Sequence, residues 1–173
     1  NCPRGELRPR RLAAGSFSTP MLLLLAIGAA AVARASTTVC VERLMTGVNE
    51  VLQVAVPIGR ADLLYAARRS GEVELLDATS GARVRTALDL NVNRARNEQG
   101  LLALAFHPQF ATDAAWRRAF VLYTIPSSND QRVSSFAVDA TTGVFDPASE
   151  RPVLRVPNFE WNHNGGSPLF APP

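Results

Sequence analysis

The chain has 173 residues, 47% of them hydrophobic, which is enough to build a packed domain. Its net charge of +3 sits at one end. Residues 1–35 carry Arg4, Arg8, Arg10, Arg11 and Arg34 against Glu6, whereas residues 36–173 carry thirteen arginines against fourteen acids, a net of −1. That balance leaves no basic surface, so nucleic-acid binding loses the phosphate-neutralising charge it depends on.

In chain order, residues 21–33 form an apolar run of thirteen, Met21 to Ala33. It is too short to cross a bilayer, which needs about 20 residues. Arginines lie upstream and Ala33-Arg34-Ala35 follows as an A-x-A cleavage site, so residues 1–35 read as a secretory signal peptide and the mature chain as 36–173. A signal anchor is the alternative. The expected location is secreted or periplasmic, with membrane contact only through the leader. The first residue, Asn1, and the last, Pro173, suggest a piece of a longer protein. Cys2 would leave with the leader, and Cys40 then stands alone in the mature part; neither has metal-site spacing, and no metal-ligating residue is assigned.

Beyond the leader no helical period of useful length appears, apart from one turn's worth at Ala111–Arg118. Short runs of Val, Leu, Phe, Tyr and Ala, separated by turn residues, read as strands. Val51–Val56, Leu63–Ala67, Val73–Leu76 and Val84–Leu88 form one set; Leu101–His107, Phe120–Thr124, Val133–Val138 and Val153–Val156 form a second. The sets repeat. Asp77-Ala78-Thr79-Ser80-Gly81 returns as Asp139-Ala140-Thr141-Thr142-Gly143 at an offset of 62, each between two strand runs. Asp and Thr side chains can bond the turn backbone and Gly supplies the left-handed residue, so both read as hairpin turns. Phe106-His107-Pro108 returns as Phe170-Ala171-Pro172 at an offset of 64. Four antiparallel strands per repeat make the blade of a β-propeller, which must stack on neighbours to bury both faces. A β-sandwich is the rival, but sandwiches do not require this repetition. The chain then holds about two blades and the start of a third, and 36–173 alone is expected to be marginally stable, with unpaired edges at both ends.

The same offset of 64 pairs His163 with Gln99, Asn162 with Glu98 and Asn164 with Gly100. Both segments follow the last strand of one blade and precede the first of the next, so their tips are expected to converge. Loops on a rigid scaffold are where binding residues concentrate. The plain reading of Trp161-Asn162-His163-Asn164-Gly165-Gly166 is a tight polar turn with an exposed histidine. The sharper one is a general base over a pocket. His107, at a strand end before Pro108, reads as structural, and Glu98 as a turn residue.

Asn97–Phe110, with Phe120-Val-Leu-Tyr-Thr, Asp146-Pro-Ala-Ser-Glu-Arg and Asn162-His-Asn-Gly-Gly in the same order, resembles the soluble glucose/sorbosone dehydrogenase family over about residues 40–170. The resemblance implies a six-bladed β-propeller, all-β, of which this chain is the N-terminal part. It also implies an exported oxidoreductase that oxidises an aldose or related sugar at C1, passing hydride to pyrroloquinoline quinone (PQQ). His163 matches the family's catalytic base, a role suited to an imidazole that can accept a hydroxyl proton near neutral pH. Gln99 matches a sugar-contacting glutamine, and Asn162 occupies the substrate-side position where the glucose enzyme carries an aspartate. PQQ and calcium are expected in the full-length family, held by later blades outside this chain; the final electron acceptor is unassigned. By itself the chain is expected to be inactive. The alternative is a non-catalytic extracellular binding propeller resembling the hedgehog-interacting protein group, to which Cys40 before the first blade lends support.

Overall fold

The computed structural model describes residues 47–171. The chain separates into two units, Asn1–Glu42 and Arg43–Pro173, and the described residues belong to the second. The expected leader, residues 1–35, and Cys40 lie outside them.

Eight strands run β1 Val51–Ala55, β2 Leu63–Arg68, β3 Glu72–Asp77, β4 Arg83–Asp89, β5 Leu101–Phe106, β6 Arg118–Thr124, β7 Gln131–Val138 and β8 Phe145–Val156. They make two four-stranded sheets, ordered β1-β2-β3-β4 and β5-β6-β7-β8, each an antiparallel meander. The fold is all-β, and the two sheets are consecutive propeller blades. The only helical element among the described residues is a 3-10 turn, Ala114–Trp116, capped by Asp113, whose carboxylate accepts from the Ala115 N–H at 2.8 Å. One turn is all that the segment 111–118 supports.

Seven strands fall where the apolar runs place them, within a residue or two at each end. The eighth does not: β8 begins at Phe145, eight residues before the expected Val153. Its first half, Asp146-Pro147-Ala148-Ser149-Glu150-Arg151, is polar and carries a proline, and that hides the strand from a reading by hydrophobic runs. Prolines are tolerated because β8 is the outer edge and pairs only with β7, so no second neighbour needs its N–H groups.

The core lies between the blades. One cluster draws on every strand from β2 to β8, including Tyr65, Val73, Leu88, Phe106, Val121, Phe136 and Phe145. Phe106 packs on Tyr65 and on Phe110 with ring centroids 4.9 Å and 5.1 Å apart. The Tyr65 hydroxyl donates to the Gly143 carbonyl of the second blade at 3.0 Å, and burial pushes its pKa up to about 12. A buried phenol needs such a partner. Gln53 Oε1 of β1 accepts from the Leu104 N–H of β5 at 2.8 Å, joining the two innermost strands.

The two hairpin turns are twins at atomic detail. Asp77 Oδ1 accepts from the N–H of Thr79 (3.1 Å), the N–H of Ser80 (2.7 Å) and the Ser80 hydroxyl (2.7 Å). Asp139 Oδ1 accepts from the N–H of Thr141 (3.0 Å), the N–H of Thr142 (2.7 Å) and the Thr142 hydroxyl (2.8 Å). Gly81 and Gly143 both sit at φ +69°, where a side chain would be strained. The Ser80 hydroxyl at one turn, and the Thr142 N–H at the other, lower the carboxyl pKa.

The outward faces remain apolar: Leu52, Val54 and Val56 on one side and Val153, Leu154 and Val156 on the other are each close to half exposed. Phe170 lies on Phe120, with centroids 5.0 Å apart, against the face of the second blade turned away from the first. Pro168 to Ala171 also close an apolar hollow of about 420 Å³ with Val56, Ile58, Phe106 and Pro108. No polar side chain lines that hollow. It sits at the end of β5 remote from the inter-blade tip at Gln99, and takes no part in the site.

Candidate functional site

The first inter-blade tip follows β4. Asn93 fastens it to the second blade, its N–H donating to the Thr124 carbonyl at 3.0 Å and its amide to the Ser128 carbonyl at 2.6 Å. Gln99 closes the tip. Its Oε1 accepts from the Arg96 N–H at 3.2 Å, and its Nε2 donates to Asn129 Oδ1 at 2.8 Å. Only 1% of the residue is exposed, so the amide expected to meet a sugar is placed inside the loop. Gly100 follows at φ +141°, where an added Cβ would lie 2.2 Å from the Arg69 carbonyl oxygen. That carbonyl accepts from the Leu101 N–H at 3.1 Å, and so only glycine lets β5 start against the first blade.

The second tip follows β8 and is built around Asn158. Asn158 takes its own place from Asp130, whose Oδ1 accepts from the Asn158 N–H at 3.0 Å. Its side-chain Nδ2 donates to the Asn162 carbonyl at 3.1 Å and to Asn164 Oδ1 at 3.2 Å. Asn164 Nδ2 donates in turn to the Trp161 carbonyl at 2.8 Å. Held at both flanks, His163 adopts φ +59°, a left-handed conformation that costs a non-glycine residue about 1–2 kcal/mol. Asp130 also accepts from Arg155 Nε at 2.8 Å; the Asn158 N–H first, and then the Arg155 guanidinium, keep its carboxyl below the usual range.

The tips meet. The Asn164 N–H donates to Glu98 Oε2 at 3.2 Å, and the Arg96 guanidinium lies 5.7 Å from the centre of the Trp161 ring. His163 is exposed and makes no hydrogen bond among the described residues, leaving both ring nitrogens open. Asn162 is half-buried; its carbonyl is used by Asn158, and its side chain makes no hydrogen bond among the described residues. The chemistry on offer is one uncommitted imidazole on a stiffened loop, beside an amide that can donate and accept.

His107 has a different character. Its ring stacks on Trp116 at 4.3 Å, Phe170 meets it edge-on at 5.2 Å, and its Nδ1 accepts from the Gln109 N–H at 3.2 Å. It is a packing residue, as its place at a strand end before proline suggests.

Sequence reasoning missed Asp130 and Asn158, and took Glu98 for a turn residue. The repeat carries no signal for Asn158, because the position 64 residues earlier is Arg94. As for a cofactor or metal, no set of three or more His, Cys, Asp or Glu side chains among the described residues is placed to hold an ion. Of the arginines near the tips, Arg69 pairs with Glu50 at 2.7 Å, Arg155 pairs with Asp130 and Arg96 lies over Trp161, while Arg94 is exposed.

No family model matches the chain. Among solved structures, a glucose dehydrogenase is similar with a TM-score of 0.47 and 16% sequence identity, over 61% of this chain and 34% of that one. The match spans about a third of that protein's length.

Proposed function

We propose that this chain is the N-terminal part of an exported oxidoreductase acting on an aldose or related sugar at C1, with His163 as the general base. The supporting observation is the joining of the two tips around an exposed imidazole, without a hydrogen bond among the described residues, on a loop held in a left-handed conformation. In this reading a neutral His163 nitrogen accepts the proton of the sugar hydroxyl, and Asn162 offers an amide to a neighbouring hydroxyl. Gln99 contributes by shaping the tip, and reaches a sugar only if Asn129 releases its amide. The hydride needs an acceptor, for which PQQ with calcium is the expected chemistry. No step is assigned to it; in the proposal both groups sit on residues outside this chain, and the chain alone is inactive. The leader and an exported, secreted or periplasmic location belong to the same proposal.

The test is dye reduction by the intact gene product, supplied with PQQ and calcium, across a panel of aldoses. Turnover is expected, and His163→Ala should lower it by about 10²–10⁴-fold. Absence of reduction with every aldose, with His163→Ala indistinguishable from the parent, would overturn the reading. One feature favours a second reading, a non-catalytic extracellular binding propeller. Phe159 beside the tip is 94% exposed and Trp161 48%, the kind of aromatic pair that anchors a protein partner.

A further inference from the structure

We infer that Glu98 is a positioning residue for His163, acting across the blade boundary through the peptide that follows the histidine. The inference rests on the proposed role of His163 as base. The group that Glu98 holds is the Asn164 N–H, which belongs to the same planar peptide as the His163 carbonyl. Fixing that plane fixes ψ of His163, and with it the direction in which the imidazole leaves the loop.

The other bonds at the tip do a different job. Asn158 to Asn162 and Asn164, and Asn164 to Trp161, lie within the second loop and set its shape. Asp130 ties only the base of that loop, at Asn158. Among the described residues, Glu98 alone of the hydrogen-bonding side chains links the histidine's own neighbour to the opposing tip. It can do so because it projects from a rigid mount. Gln99 is buried and bonded to Asn129, and Gly100 is pressed against the Arg69 carbonyl. At 3.2 Å the bond is of ordinary length, so its hold comes from where the acceptor oxygen sits rather than from its charge. A left-handed histidine persists only where its surroundings over-determine it, and this contact supplies the constraint from outside the loop.

Two variants of the intact protein test the assignment, Glu98→Ala and Glu98→Gln. Glu98→Ala removes the acceptor; Glu98→Gln keeps a carbonyl oxygen and removes the charge. Exchange of the Asn164 amide, followed by NMR, should speed up about tenfold in Glu98→Ala and stay near the parent value in Glu98→Gln. If the sugar-oxidising reading holds, kcat in Glu98→Ala should fall about tenfold to a hundredfold at nearly constant KM, with recovery in Glu98→Gln. Unchanged exchange in Glu98→Ala overturns the inference, as does faster exchange with full kcat. A parent protein without turnover sinks the base reading, but the exchange comparison still decides whether Glu98 holds the peptide after His163.

Discussion

The two inter-blade tips occupy equivalent places in the repeat, yet they are put to opposite uses. In the first, Gln99 turns inward, spends its amide on Arg96 and Asn129, and is 1% exposed. In the second, His163 turns outward with no partner among the described residues, while its neighbours make the bonds. The hairpin turns at Asp77–Gly81 and Asp139–Gly143 stayed alike in the bonds to the aspartate, because those bonds are made within the five residues of each turn. The tips diverged because each is completed by side chains from elsewhere. A scaffold repeat therefore conserves what is local and leaves its inter-blade loops free to specialise.

Three comparisons would break or sharpen this contrast. The largest effect is expected at Gly100, where alanine must place a Cβ against the Arg69 carbonyl at a backbone angle suited to glycine. Gly100→Ala should lower the unfolding free energy by about 3 kcal/mol or more, read from urea denaturation. Asn164→Ala, at the matching position, should cost about 1 kcal/mol, the worth of its side-chain hydrogen bonds.

Next comes the pair that defines the difference. Gln99→Ala leaves the Arg96 N–H and the Asn129 amide without a partner and should destabilise by about 2–3 kcal/mol. His163→Gly, in contrast, relieves a left-handed residue and loses no bond, so stability should be unchanged or rise by up to about 1 kcal/mol. If both variants destabilise equally, the tips are not used differently.

The smallest effect is expected from pH. The folded pKa of Asp130 lies below its ordinary 3.8, with the Asn158 N–H as the main cause. A depressed carboxyl pKa means a stabilising contribution that is complete above the unfolded value and lost as pH falls through the folded one. The second tip should therefore keep its order from neutral pH down to about 4 and loosen below that, while Asp130→Asn flattens the response. Amide exchange at Asn158 is the readout, with Gln99, whose side chain bonds only the Arg96 N–H and Asn129 among the described residues, as the internal control.

Much of the fold was legible in the amino-acid order. Apolar runs bounded by turn residues marked all eight strands, and the repeated Asp-Ala-Thr-Ser/Thr-Gly marked their grouping into two blades. The first half of β8 was not legible, since Pro147 and a polar run do not look like a strand until its edge position is known. At the site, the offset of 64 set the two tips in equivalent places and singled out His163 as the residue on a turn; the contact between them runs from Asn164 to Glu98, not along that offset. It could not show that Gln99 is buried, because the partner that buries its amide, Asn129, belongs to the β6–β7 turn thirty residues on. Nor could it show Asp130 or Asn158, which have no counterpart in the first repeat.

Sequence alone thus determined whatever a short window of residues can settle: which segments pair as hairpins, where glycine must stand, and how often the pattern recurs. Only the tertiary structure decided which polar side chain was consumed and which was left free. That choice depends on hydrogen-bond partners brought from distant turns, and a buried amide must find its partners wherever the fold supplies them.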